Sequence, residues 1–220
     1  MSRQCSWRIY IFSLIVLLAV VSAKSDGNPT NDIVDFINAN RTGSKLPKLS
    51  NSPGLGCMAL QLLLQCTKNC SNNNTLDCHP PEVDITEVYA PNCGVELPTV
   101  DTISGRLLGC FWKPLDPEQA LSAVLVPNKK SLSLVQSKEH SEVGVGYVGV
   151  HHGPFLWGVL FSSGNTSSSF VLEGGKGIEQ RSGCFSGINV PCNVGNKLLL
   201  TEKILMFSIS CLILQVVLLV

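Results

Sequence analysis

Several arrangements of residues in this chain have the types and spacing of chemical sites. Cys66-x-x-x-Cys70 followed by Cys78-His79 offers thiols and an imidazole, the donor set of a tetrahedral zinc centre. His151-His152 follows Glu139 and Glu142, residue types that serve as a general base and its carboxylate partner. Gly144-Val145-Gly146-Tyr147-Val148-Gly149 spells the G-x-G-x-x-G of a dinucleotide-binding turn. Gly174-Gly175-Lys176-Gly177 has the composition of a phosphate loop.

Each chemistry demands particular elements around it. A dinucleotide site needs a strand before the glycines and a helix after them. Here Val143, Val145 and Tyr147 alternate with Gly144 and Gly146, so the glycines sit inside a strand, and a second strand follows. They read as close backbone packing or bulges. The Gly174 to Gly177 stretch lacks the full Walker spacing and reads as a flexible turn. The two histidines adjoin the turn His152-Gly153-Pro154, and neighbours on a strand point to opposite faces. Surface histidines are the expectation. The competing reading is a secreted hydrolase that uses either histidine with Glu142 or Glu139. His79 and His140 are isolated, and no G-x-S-x-G, H-E-x-x-H or paired-carboxylate pattern stands out. The expectation is no catalytic, cofactor-binding or metal-binding residue.

Compartment follows from the termini and the cysteines. Arg3 and Arg8 precede an apolar run from Ile9 to Val21 and a small-residue exit at Val21-Ser22-Ala23, the pattern of a signal peptide over residues 1–23. At the other end Ile204 to Val220 is apolar, interrupted only by Gln215, and Lys197 and Lys203 lie before it. A small-residue site, a polar spacer and a terminal apolar tail are the signal for a glycosylphosphatidylinositol (GPI) anchor. The expected attachment residue is Asn193, with Ser186 as the rival, and residues 194–220 as the propeptide removed. Residues 24–193 then form a single extracellular domain. Cys5 and Cys211 fall in the removed segments. Cys57, Cys66, Cys70, Cys78, Cys93, Cys110, Cys184 and Cys192 remain, an even set that reads as disulfides of open pairing rather than as zinc ligands. Cutting at Asn193 keeps Cys192, and cutting at Ser186 discards it. Asn40, Asn69, Asn73 and Asn165 head N-x-S/T sequons, while Pro29 spoils the one at Asn28. The formal net charge is zero, with no basic stripe, which argues against a nucleic-acid partner.

The elements between the signals are mixed. Residues 31–39 read as a helix with Ile33, Phe36 and Ile37 on one face, stopped by Asn40 to Gly43. Ser52-Pro53 starts a second helix carrying Leu55, Ala59, Leu62, Leu63 and Cys66 at helical spacing. Cys70 to Arg106 reads as irregular. Asp116 and Gln119 have capping-box spacing before a short third helix. Val143 to Tyr147 and the continuous apolar run Phe155 to Phe161 predict an antiparallel hairpin, and Phe170 to Leu172 a further short strand.

Two resemblances are carried by particular segments. Ile37-Asn38-Ala39-Asn40-Arg41, Leu60-Gln61, Cys110-Phe111, Val143 to Val148 and Cys184-Phe185-Ser186-Gly187 resemble a plant family of uncharacterised GPI-anchored glycoproteins. More remotely, Asn38-Ala39-Asn40-Arg41, the helix Leu55 to Leu64, Val143 to Tyr147 and Phe155 to Phe161 resemble, in that order, the CAP superfamily of cysteine-rich secretory, antigen 5 and pathogenesis-related proteins. That resemblance implies an α+β fold, a disulfide-stabilised α-β-α sandwich with an antiparallel hairpin near its C-terminal end. It carries no site residues, since the His/acid cleft of that superfamily has no counterpart here. The function expected is a non-catalytic binding or signalling-support protein on the outer leaflet of the plant plasma membrane, with a lipid, wall polysaccharide or receptor ectodomain as partner. A structural wall-anchoring glycoprotein is the third alternative.

Overall fold

A computed structural model describes residues 27–95, 102–164, 184–189 and 191–192. The signal peptide, the anchor propeptide, Asn165, Asn193, Phe170 to Leu172 and Gly174 to Gly177 lie outside the described residues.

Helix α1 (Pro29–Gly43) begins where Asn28 caps it, its side chain accepting from Thr30 N, and Pro29 occupies the first turn, where no N–H is needed. It is longer at both ends than residues 31–39: Ser44, not Asn40, closes it. Strand β1 (Ser50–Asn51) leads into α2 (Pro53–Gln65), capped by Ser52 as expected. Residues 70–106 are not wholly irregular. A π-helical segment, Ile85–Tyr89, runs into the single turn α3 (Ala90–Asn92). Strand β2 (Ile103–Phe111) begins before Arg106. Asp116 accepts from Gln119 N to start α4 (Pro117–Gln119), which winds on as a π-helix over Ala120–Leu125. An unforeseen helix, α5 (Lys129–Val135), opens on an Asn128–Ser131 capping box. The hairpin is present as β3 (Glu142–Gly149) and β4 (Phe155–Ser162), followed by β5 (Cys184–Phe185).

The strands form one sheet in the order β1-β3-β4-β2, with β5 also paired to β3. β2 and β3 flank β4 antiparallel, with Leu108 and Gly146 both opposite Gly158. Alternation along β3 and β4 separates two cores. Val148, Leu156 and Leu160 face α2 with Leu55, Met58 and Leu62. Val143, Val145, Tyr147, Trp157, Val159 and Phe161 face α1 and the residues around Ala120 and Val135. The chain is therefore an α+β sandwich with helices on both faces of the sheet.

The glycines of the dinucleotide-like motif explain how close the α2 layer comes. A Cβ on Gly146 would lie 2.5 Å from Leu60 N, and one on Gly144 would collide with the backbone of Leu55 and Gly56. Both positions are buried contacts between main chains, not a ligand loop.

All eight domain cysteines pair: Cys57–Cys93, Cys66–Cys78, Cys70–Cys110 and Cys184–Cys192. The first three tie the proline- and asparagine-rich stretch to α2 and β2, alongside Ile85, Tyr89, Ala90 and Val95, which pack into the core against α2. For a loop of the 40-residue separation between Cys70 and Cys110, chain-entropy arithmetic puts the stabilisation at about 4 kcal/mol.

Candidate functional site

Among the described residues a cavity of about 430 Å³ opens between β2 and α5. Leu107 and Leu134 supply apolar surface, Ser131, Ser133 and Ser137 supply hydroxyls, and Lys130 a cation. Asn128 and Ser131 are already engaged in capping α5. Arg106 also borders the cavity. By strand alternation its side chain belongs with Leu108 and Cys110 on the α2 face, where its charge reaches Tyr89.

Beneath this cavity lies a polar cluster. Arg41, in the last turn of α1, is fully buried. Its Nε donates to Pro47 O at 3.0 Å, and its Nη1 to Val135 O at 2.7 Å and Ser137 O at 2.8 Å. Arg41 thus satisfies an orphan carbonyl at the end of α5, Val135 O, and two loop carbonyls, so main-chain oxygens stand in for a carboxylate. Burial lowers its pKa. Asn38, at the head of the same N-x-x-R stretch, donates to Leu49 O at 3.0 Å and accepts from Leu49 N at 2.8 Å. The motif that resembles the CAP superfamily fastens the connection between α1 and β1.

His140 sits next to this cluster, 3% exposed and stacked on Phe161 with ring centroids 4.5 Å apart. Its Nδ1 lies 2.7 Å from Ser104 Oγ, while Nε2 is buried and makes no well-formed hydrogen bond. Ser104 falls at the register irregularity between Ile103 and Gly105. A serine against an imidazole is the nucleophile–base half of an acyl-transfer constellation. Among the described residues no carboxylate is hydrogen-bonded to His140, so they supply no orienting third member. Burial holds the imidazole below its ordinary value of 6.5, helped by the charge of Arg41, against opposing effects of the Leu134 backbone and Glu139.

A pH dependence follows. The folded state keeps His140 neutral, so this group contributes stability in full above pH about 6.5, its unfolded value, and loses it as pH falls toward the depressed folded pKa. Denaturant midpoints should hold steady from pH 8 to 7 and fall as pH drops below about 6.5, and His140→Gln should flatten that fall. An equal slope in the variant would assign the effect elsewhere.

The sequence candidates are scattered. His151 and His152 are exposed on the β3–β4 turn, edge to face at 4.0 Å, with His152 at φ 56°. Glu142 opens β3 at its other end, roughly 25 Å away at the rise of a strand. Glu139 lies further back still. The hydrolase pairings of these histidines with Glu142 or Glu139 are not brought together. His79 is exposed beside Asp77 at 3.3 Å. Cys66, Cys70 and Cys78 are consumed by disulfides, and no cluster of metal-ligating side chains occurs among the described residues. Asn69 and Asn73 are exposed in a loop, whereas Asn40 is exposed on the last turn of α1, its Oδ1 accepting from Gln136 at 3.1 Å. Ser186 is fully buried: its Oγ accepts from Val145 N at 2.9 Å, and its N donates to Val145 O at 2.8 Å. No described helix is long and apolar enough to cross a membrane. Sequence reasoning named Arg41 only as part of N-x-x-R and His140 only as isolated, and it missed Ser104 and the α5 rim.

No family model and no curated protein matches the chain. Among solved structures it is similar to an outer surface protein from Borrelia burgdorferi, at 13% identity and a TM-score of 0.45, over 61% of this chain and 91% of that one. It is also similar to a cysteine-rich secretory protein from Staphylococcus aureus, at 12% identity and a TM-score of 0.43, over 65% of this chain and 40% of that one.

Proposed function

We propose that this chain is a GPI-anchored plant cell-surface glycoprotein whose CAP-like ectodomain binds a ligand at the cavity between β2 and α5. The observation that carries the reading is the pairing of all eight domain cysteines, which calls for an oxidising compartment. The sequons at Asn40, Asn69 and Asn73 are exposed, as attachment of a glycan requires. Attachment of the anchor at Asn193 is favoured over Ser186. Cleavage after Ser186 would discard Cys192, the partner of Cys184, and leave the new terminus on a buried residue.

The cavity falls within the roughly 300–1,000 Å³ of small-molecule sites. Two leucines beside a hydroxyl and ammonium rim suit an amphipathic ligand, a lipid before a wall polysaccharide or a receptor ectodomain. Phosphatidylinositol-specific phospholipase C should release the protein from intact cells, and its C-terminal peptide should end at Asn193. A surface-exposed peptide reaching Val220 would defeat the anchor. The released protein, screened against lipids and oligosaccharides, should show saturable binding that Leu134→Glu removes. Binding unchanged by Leu134→Glu would move the site elsewhere.

A further inference from the structure

We infer that the glycan on Asn73 lies over the exposed indole of Trp112 and covers the end of edge strand β2. The inference rests on the secretory reading above and adds where one glycan goes and what it does. Trp112 follows directly on β2 and is 41% exposed, one of the few large apolar side chains left in solvent. It is nevertheless held on two sides. Its main-chain N donates to Asn74 Oδ1 at 3.0 Å, and its Nε1 donates to Ser71 O at 2.8 Å. The polar edge of the ring is therefore spent on the loop, and the exposed remainder is apolar.

That loop carries the sequon. Ser71 N donates to Thr75 O at 2.9 Å, Asn74 N to Ser71 O at 3.0 Å, and Thr75 N to Ser71 Oγ at 3.0 Å. A bridge between Cys70 and Leu76 closes its base, and the Cys70–Cys110 disulfide ties that base to β2 itself. Asn73 is exposed at the tip, between the two residues that grip Trp112. Ring and attachment residue are thus kept as near neighbours by several independent links. The first sugar of an N-glycan presents a flat face of C–H groups, which suits the electron-rich face of an indole. Among the described residues β2 ends the strand order, and sheet edges are protected by some covering element against pairing with another chain.

Fluorescence quenching tests this directly. The chain has three tryptophans. Trp7 falls in the removed signal peptide, so the mature protein keeps only Trp112 and the 2%-exposed Trp157, and iodide cannot reach the latter. The full chain is expressed in a glycosylating eukaryotic cell, purified, and measured at a dilution where sedimentation shows a monomer. Mass spectrometry should find Asn73 occupied. Iodide quenching should be weak in this protein and several-fold stronger in both Asn73→Gln and Thr75→Ala. It should stay weak in Asn69→Gln and vanish in Trp112→Phe. An unoccupied Asn73 would overturn the inference through the glycosylation it rests on. An occupied Asn73 whose removal leaves quenching unchanged would overturn the stacking itself.

Discussion

Gly144→Ala is expected to destabilise this protein by about 3 kcal/mol or more, at the upper end of what overpacking costs. The added methyl would meet the main chain at Leu55 and Gly56, and the corresponding methyl on Gly146 would meet Leu60 N and Ala59 C. A side-chain neighbour could rotate away. Backbone cannot, so the sheet and α2 must separate, and the core that holds Leu55, Met58 and Leu62 against Leu156 and Leu160 opens with them. Gly146→Ala should behave alike, and the double variant less than additively because both push on one helix. Gly43→Ala is the control. It faces open space at the end of α1 and should be neutral or slightly stabilising. Guanidinium unfolding of these variants and the parent measures this, and a Gly144→Ala variant within about 1 kcal/mol of the parent would disprove the packing argument.

Arg41→Met is expected to cost about 3 kcal/mol, with Arg41→Lys in between. The guanidinium donates to Pro47 O, Val135 O and Ser137 O, and each buried carbonyl left without a donor costs about 1–3 kcal/mol. Relief from burying a cation that no carboxylate pairs with among the described residues offsets part of that sum. A lysine ammonium keeps the charge near the ends of α1 and α5 but lacks the planar fork that serves three acceptors. The loss should also depend little on salt, since the guanidinium is buried. Urea titrations at low and high ionic strength read both effects; parity of Arg41→Met with the parent would mean that those carbonyls find other donors.

What could be read from sequence, and what could not, follows the physics of each element. The β3–β4 hairpin was legible because strands buried on both faces are apolar at nearly every position, as Phe155 to Phe161 is. α2 was legible because Ser52 and Pro53 announce it. Asn28-Pro29 is the same signal at α1, hidden behind a reading of Asn28 as a spoiled sequon. β2 and α5 were not legible. Ile-Ser-Gly-Arg-Leu-Leu-Gly-Cys-Phe has two glycines and no clean alternation, and its strand character comes from pairing with β4 across the whole of its length. Lys129–Val135 is too short for periodicity to show. Those two elements are the walls of the cavity, so the candidate site was illegible for the same reason that its walls were. The Ser104–His140 contact joins residues 36 apart in sequence, and no local pattern encodes such a meeting.

The capping of α1 sets a timetable for folding. Asn28 not only starts that helix but donates from its Nδ2 to Phe185 O, 157 residues later, while Asn31 donates to Ile188 O and accepts from Gly187 N. At a synthesis rate of about 5–20 residues per second, the first helix waits on the order of ten to thirty seconds for the strand that completes its entry turn. Until then Val145 N–H and C=O, which later meet Ser186, are also without those partners. This part of the sheet is closed by a late-made segment, so a chain halted before Cys184 would remain open along β3, and quality control in the secretory route could read how far synthesis has gone from how far the fold has closed.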